Sequence, residues 1–205
     1  MGLFVAILAG GRARRLGKEK GLIRILGKPM ISYIIDACKE LTTDIFVIFG
    51  TKEQSETYLN ALSDIRIIID NAHQEYSPLF GAITAFKQIK SDYIFLLPCD
   101  TPLIKSSVIE LLYSIRLGYD AIIPRWPNGY IEPLCAIYRS NSTLDLAEKM
   151  MNMGRFEMRG ITEGLKVLYV STLAIKKFDS KLDSFYNVNT EEDRRKVEKI
   201  LRRRK

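Results

Sequence analysis

Apolar residues along this chain fall into short unbroken runs separated by stretches with a helical repeat. Runs at 3–9, 44–49, 65–69, 93–97 and 120–124 predict strands, and the segments 29–41, 52–62, 79–89 and 105–117 predict helices between them. In the first helix Pro29 suits the start, and Ile31, Ile34, Ile35 and Cys38 form one apolar face behind it. The strand runs do not alternate with polar residues, which is the mark of parallel strands covered on both faces. Strand–helix alternation of this kind predicts an α/β protein with a doubly wound, mostly parallel open sheet. After residue 125 the rhythm changes. WPNGYIEPLCAIYR holds a turn at Pro127-Asn128-Gly129 and then a strand with Pro133 inside it, which suits an edge or a bulge. The last third reads as mixed elements packed beside the sheet.

The 205 residues, 47% of them hydrophobic, are enough to bury a core as a single domain over 1–205. The run at 3–9 is too short for a membrane span and lacks a basic leader, so neither a signal peptide nor a membrane partner is expected. Cys38, Cys99 and Cys135 are scattered among apolar residues and suit reduced thiols in a cytoplasmic protein. The net charge of +7 points toward nucleic acid until it is located: residues 194–205 hold eight cations and one anion, so the rest of the chain is neutral. Thr190 is placed to cap that last helix, with Glu191, Glu192 and Asp193 in its first turn. Acids first and bases last is the order the helix dipole favours, so nucleic-acid binding is not expected.

Ligands of open parallel sheets sit outside the carboxyl ends of the strands, and four stretches with chemical content lie there. In ILAGGRARRLGKEKGL, Gly10 and Gly11 allow close backbone approach, and Arg12, Arg14, Arg15, Lys18 and Lys20 follow within nine residues. Bare N–H groups and cations suit phosphate, although the spacing is neither a P-loop nor GxGxxG; an ordinary solvated loop is the plainer alternative. In FLLPCDTPLI, Asp100 stands between Pro98 and Pro102. It is either a ligand for a hard cation such as magnesium, or a helix cap or Asx-turn residue. In IIIDNAHQEYSPLFGAI, Asp70 follows a strand, Ser77 and Pro78 suit a helix start, and Gly81 permits close approach. The single histidine, His73, reads as a polar loop residue, since one histidine without paired cysteines does not make a common zinc site. In SFYNVNTEED, Asn187 and Asn189 share a face by period two, to read a heteroaromatic ligand or only to begin the turn into the helix.

Taken together, LAGGRARRLGKEKGLI resembles the signature loop of the nucleotidyltransferase superfamily, and PCDTPLI, SPLFG, EPLCAIYR and FYNVNTEED narrow the resemblance to the molybdenum cofactor guanylyltransferases. It runs nearly end to end. It implies a Rossmann-like nucleotidyltransferase fold and transfer of GMP from GTP to molybdopterin (the molybdenum cofactor), with release of pyrophosphate and Mg2+ as cofactor. About 1–125 would bind nucleotide, and about 126–205 would bind the acceptor and include the C-terminal helix. Leu8, Ala9, Gly10 and Gly11 would line the guanine nucleotide, Lys20 its phosphates, Asp70 and Gly81 its pocket, and Asp100 the metal. Asn187, Asn189, Arg15 and Glu132 would face the pterin, with Lys20, Asp100 and Arg15 serving catalysis. LAGG with Gly81 favours GTP, since cytidylyl-transferring relatives carry TAAG-like loops and lack that glycine. Molybdoenzyme maturation proteins are the implied protein partners. Family members often carry Asn at the end of the second strand, where this chain has Gly50-Thr51. A cobalamin precursor or a sugar 1-phosphate as acceptor fits the first loop equally well but leaves NVNTEED unexplained.

Overall fold

The computed structural model describes residues 2–9, 12–13, 18–62, 65–70 and 77–204, with only the backbone for residues 12, 13 and 18. Gly10, Gly11, Arg15 and His73 therefore lie outside the described residues. The strands are β1 (Phe4–Leu8), β2 (Arg12–Ala13), β3 (Lys18–Glu19), β4 (Arg24–Ile25), β5 (Lys28–Pro29), β6 (Ile45–Phe49), β7 (Arg66–Ile69), β8 (Tyr93–Pro98), β9 (Ala121–Arg125), β10 (Ala136–Arg139) and β11 (Val167–Ser171). The helices are α1 (Met30–Lys39), α2 (Lys52–Leu59), α3 (Pro78–Gln88), α4 (Ser106–Ser114), α5 (Ser140–Asn152), α6 (Thr172–Ile175) and α7 (Glu191–Arg204), with tight 3-10 turns at Lys20–Leu22, Met158–Glu163 and Asp183–Phe185.

Seven strands form one open sheet in the order β11-β9-β10-β8-β1-β6-β7. Neighbours run parallel except β10, which is antiparallel to both β8 and β9. Successive residues of the central strands enter opposite layers, as the unbroken apolar runs require. Val5, Ile7, Phe95 and Leu97 pack with Ile34 of α1 and Val108 and Leu112 of α4. Ala6, Ile94 and Leu96 pack with Leu79 and Ile83 of α3 and Ala147 and Met150 of α5. A third cluster joins Ile25, Met30, Leu103, Val188 and Val197, and so fastens α7 over the β4–β5 ribbon.

Two expectations are corrected. Pro133 precedes a strand instead of interrupting one: β10 begins at Ala136 and lies inside the sheet, where a proline could not donate to the ladder. Residues 187–189 carry no strand; the Val188 N–H donates to the Asp100 carbonyl at 2.9 Å. The last third also adds β10 and β11 to the sheet itself.

From β1 the chain crosses to β6 and β7 on one side, then returns to β8 on the other. The carboxyl ends of β1 and β8 are thus the point where strand order reverses, the usual place for a ligand crevice. The Cys99 N–H bonds the Leu8 carbonyl at 3.2 Å across that point.

Candidate active site

Asp100 lies two residues past the end of β8 and does not cap a helix, since α4 begins six residues later at Ser106. Its Oδ2 accepts a short hydrogen bond from Lys20 Nζ, and Lys20 Nζ also donates to Asn189 Oδ1 at 2.8 Å. Asp100 Oδ1 is buried and has no hydrogen-bond partner among the described residues. The two side chains of the ion pair keep 20% and 16% of their exposure, so a solute can reach them. Three expected residues from distant parts of the chain therefore meet at one point.

Local structure explains why each stands there. Lys20 opens the turn Lys20–Leu22 directly after the two-stranded β2–β3 ribbon. Asn189 precedes a capping box on α7: Thr190 Oγ1 accepts from the Asp193 N–H at 3.1 Å, and Asp193 Oδ2 accepts from the N–H groups of Asn189 and Thr190 at 3.1 and 2.9 Å. Tyr186 Oη donates to the same carboxylate at 2.8 Å. With Val188 buried between them, Asn187 and Asn189 both face outward, as period two predicts.

Asp70 lies buried at the end of β7, where its Oδ1 accepts from Thr84 Oγ1 of α3 at 2.9 Å. Gly81, also in α3, faces the sheet: a Cβ there would stand 3.3 Å from Leu8 Cδ2 and 3.7 Å from Ile48 Cγ2. The glycine thus lets α3 lie close on β1 and β6, beneath Leu8. Ser77 caps α3, with its Oγ accepting from the Leu79 N–H at 3.2 Å, and Pro78 fills the first turn.

Glu132 sits in the loop after β9, on the same sheet edge as Asp100, and accepts from Trp126 Nε1 at 2.7 Å. Burial pushes its carboxyl above the usual carboxylate range, and the indole hydrogen bond only partly offsets this. Trp126 meets Phe185 edge-on at 6.0 Å, so this loop backs the 187–189 segment. Behind that segment, buried Asp179 pairs with Lys105 at 2.8 Å and accepts from the Ser184 N–H at 2.7 Å. The three cysteines are free and buried, and burial pushes Cys38 and Cys99 up to about 12, so neither is a nucleophile.

Sequence reading missed Gln54 and Tyr58, which face inward from α2. Gln54 Nε2 donates to the Ala9 carbonyl at 2.9 Å and to Glu19 Oε2 at 2.6 Å, while its Oε1 accepts from the Gly50 N–H at 3.0 Å. Tyr58 Oη accepts from the Gly21 N–H at 2.9 Å. At the β6 end, where Asn was expected from the resemblance, the Thr51 hydroxyl caps α2 by accepting from the Gln54 N–H at 3.2 Å. The available signal was the near absence of an apolar stripe in KEQSETYL, a helix that must still bury one face.

An open parallel sheet with a cation, a carboxylate and an amide converging at its switch point defines an α/β nucleotidyltransferase. The family model of the MobA-like NTP transferase domain matches residues 5–165, and the chain belongs to this family. A probable molybdenum cofactor guanylyltransferase of Thermococcus gammatolerans is 32% identical over 197 residues, covering 95% of this chain and 98% of that one. The molybdenum cofactor guanylyltransferase of Desulfosudis oleivorans is 29% identical over 198 residues, covering 96% and 94%. The crystal structure of molybdopterin-guanine dinucleotide biosynthesis protein A from Archaeoglobus fulgidus superposes with a TM-score of 0.85 at 28% identity, covering 98% of this chain and 100% of that one. No helix among the described residues is long and apolar enough to cross a membrane.

Proposed function

We propose that the protein transfers GMP from GTP to molybdopterin, releasing pyrophosphate, with magnesium held by Asp100. The observation that carries the metal assignment is the Asp100 carboxylate: one oxygen lies on Lys20, and the other is buried with no partner among the described residues. Magnesium is commonly held by one or two carboxylates and completes its sphere with water and substrate phosphates. No cluster of three His, Cys, Asp or Glu side chains that could hold a metal occurs among the described residues. When bound, it supplies charge neutralisation at the reacting phosphates.

The chain's own groups do the rest. A terminal phosphate oxygen of the acceptor attacks the α-phosphorus of GTP, the α–β bridging P–O bond breaks, and pyrophosphate leaves. The nucleophile belongs to the acceptor, so the protein must bring anions into line and stabilise charge on the leaving group. Lys20 turns from Asp100 to the phosphates, while Arg15 and the N–H groups of Gly10 and Gly11 serve the same oxygens. Leu8 and Ala9 line the guanine nucleotide, and Asp70 and Gly81 shape its pocket, Gly81 by seating α3 beneath Leu8. Asn187, Asn189 and Glu132 face the acceptor, so that about 1–125 serves the nucleotide and about 126–205 the pterin. The names of the relatives support molybdopterin as that acceptor.

The test is pyrophosphate release with magnesium and molybdopterin, run in parallel with GTP, CTP, ATP and UTP. Release with GTP alone, and only with the pterin present, is expected. Release with another nucleotide overturns the base assignment. No release with any of them overturns the acceptor, and cobalamin precursors and sugar 1-phosphates are tried next.

A further inference from the structure

We infer that Gln54 and Tyr58 are positioning residues for Lys20, and that α2 sets where this cation stands; the inference rests on the nucleotidyl-transfer reading of the site. Lys20 is bracketed. The residue before it, Glu19, accepts from Gln54 at 2.6 Å, and the residue after it, Gly21, donates to Tyr58 at 2.9 Å. Both anchors come from one helix at i and i+4, and so from one face.

The anchors are fixed in turn. Gln54 is 7% exposed and spends its remaining amide hydrogen on the end of β1 and its oxygen on the end of β6. One side chain thus joins two strand ends at the switch point to the segment that carries Lys20. Tyr58 is fully buried, with its ring against Phe49 at 4.7 Å. The contact with Gly21 leaves no room for a side chain: a Cβ there would stand 2.7 Å from Tyr58 Oη.

A buried polar group needs partners in any fold, so satisfied hydrogen bonds alone do not separate support of the fold from support of Lys20. The bracketing does, because it holds the residue on each side of one long, flexible cation, Glu19 by its carboxylate and Gly21 by its backbone N–H. Lysine binds phosphate as a point charge on a mobile stem, so its placement depends on where that backbone is held. A misplacement of about 1 Å is enough to cost on the order of 100-fold in rate.

The test is a double-mutant cycle. Tyr58→Phe removes only the phenolic oxygen and keeps the ring, and Gln54→Leu removes the clamp. Each is made in the wild-type and Lys20→Ala backgrounds, and magnesium-GTP affinity, pyrophosphate release and melting temperature are measured. Each single variant is expected to lower kcat/KM by about 10-fold or more and to add almost nothing once Lys20 is gone, while melting temperature falls equally in both backgrounds. Equal losses in both backgrounds, or no loss in either, overturn the inference. Glu19→Ala, at a half-buried position, replaces Gln54→Leu should that variant fail to fold. A wild type that binds GTP but releases no pyrophosphate overturns the acceptor assignment alone, since the cycle is still read in affinity. A wild type that binds no nucleotide overturns both.

Discussion

Lys20 Nζ rests on Asp100 Oδ2, so the cation proposed for the triphosphate and the carboxylate proposed for the metal neutralise each other when no substrate is present. Each is the other's counter-ion in a partly buried place, where an unpaired charge is costly. On the proposed reading, nucleotide and metal would separate the pair as they enter, with Lys20 going to the phosphates and Asp100 to the cation.

Two substitutions separate these roles. Asp100→Asn is expected to lower magnesium-dependent turnover by about 100-fold or more, the loss expected for an electrostatic group of this kind. Lys20→Gln frees Asp100 Oδ2, so free Mn2+, followed by electron paramagnetic resonance, is expected to bind more tightly while GTP binds more weakly. Unchanged Mn2+ affinity in Lys20→Gln would show that the ion pair does not guard the carboxylate.

Glu132 is an acid whose pKa burial displaces. Its folded-state value lies above the ordinary 4.5 because burial disfavours the charged form. Ionisation therefore costs stability as pH rises above that ordinary value, and nothing below it. Glu132→Gln keeps an oxygen for Trp126 and is expected to raise the melting temperature at neutral pH, with the gain vanishing below pH 4.5. Melting curves across that range check the sign, and a fall in turnover in the same variant would place the carboxylate at the acceptor.

Asp179 has the opposite sign. Burial pushes its carboxyl up, but the Lys105 ion pair and the hydrogen bond from Ser184 outweigh burial and leave it below the ordinary 3.8. Its contribution to stability is present above 3.8 and is lost as pH falls through the lower, folded-state value. Denaturant titrations of wild type and Asp179→Asn are expected to differ clearly near neutral pH and to converge in strong acid. A constant difference would exclude the ion pair as its source.

Among the described residues, the basic end of α7 has one tether, Arg204 to Asp183 at 2.9 Å. Removing residues 202–205 keeps Val197, Ile200 and Leu201 in their cluster. The cut is expected to cost about 0–1 kcal/mol, as for a surface ion pair, with turnover unchanged. A large fall in turnover would give the tail a part in the reaction.

The legible parts of this fold share a physical cause. Strands such as β1 and β8 are covered on both faces, and that leaves an unbroken apolar run in the sequence. Asp100 was legible because a carboxylate directly after such a run falls on the ligand edge. The place of β10 was not legible: AIYR is short, Pro133 stands nearby, and strand order is decided by pairing across the sheet. Asn187 and Asn189 showed the right alternation, but the alternation arises from Val188 docking under Asp100 and not from a ladder. Gln54 and Tyr58 escaped notice because hydrogen bonds give a polar inward face no hydrophobic period.

The bond from Val188 to Asp100 also bears on synthesis. The chain has made every strand of the sheet by Ser171, yet Asn189 and the backbone that holds Asp100 from behind are still to come. In a growing chain the last strand is thus made before the segment that completes the pocket. A protease cut between α6 and α7 would part the same two pieces, and with them the Asp100 carbonyl from the Val188 N–H that backs it.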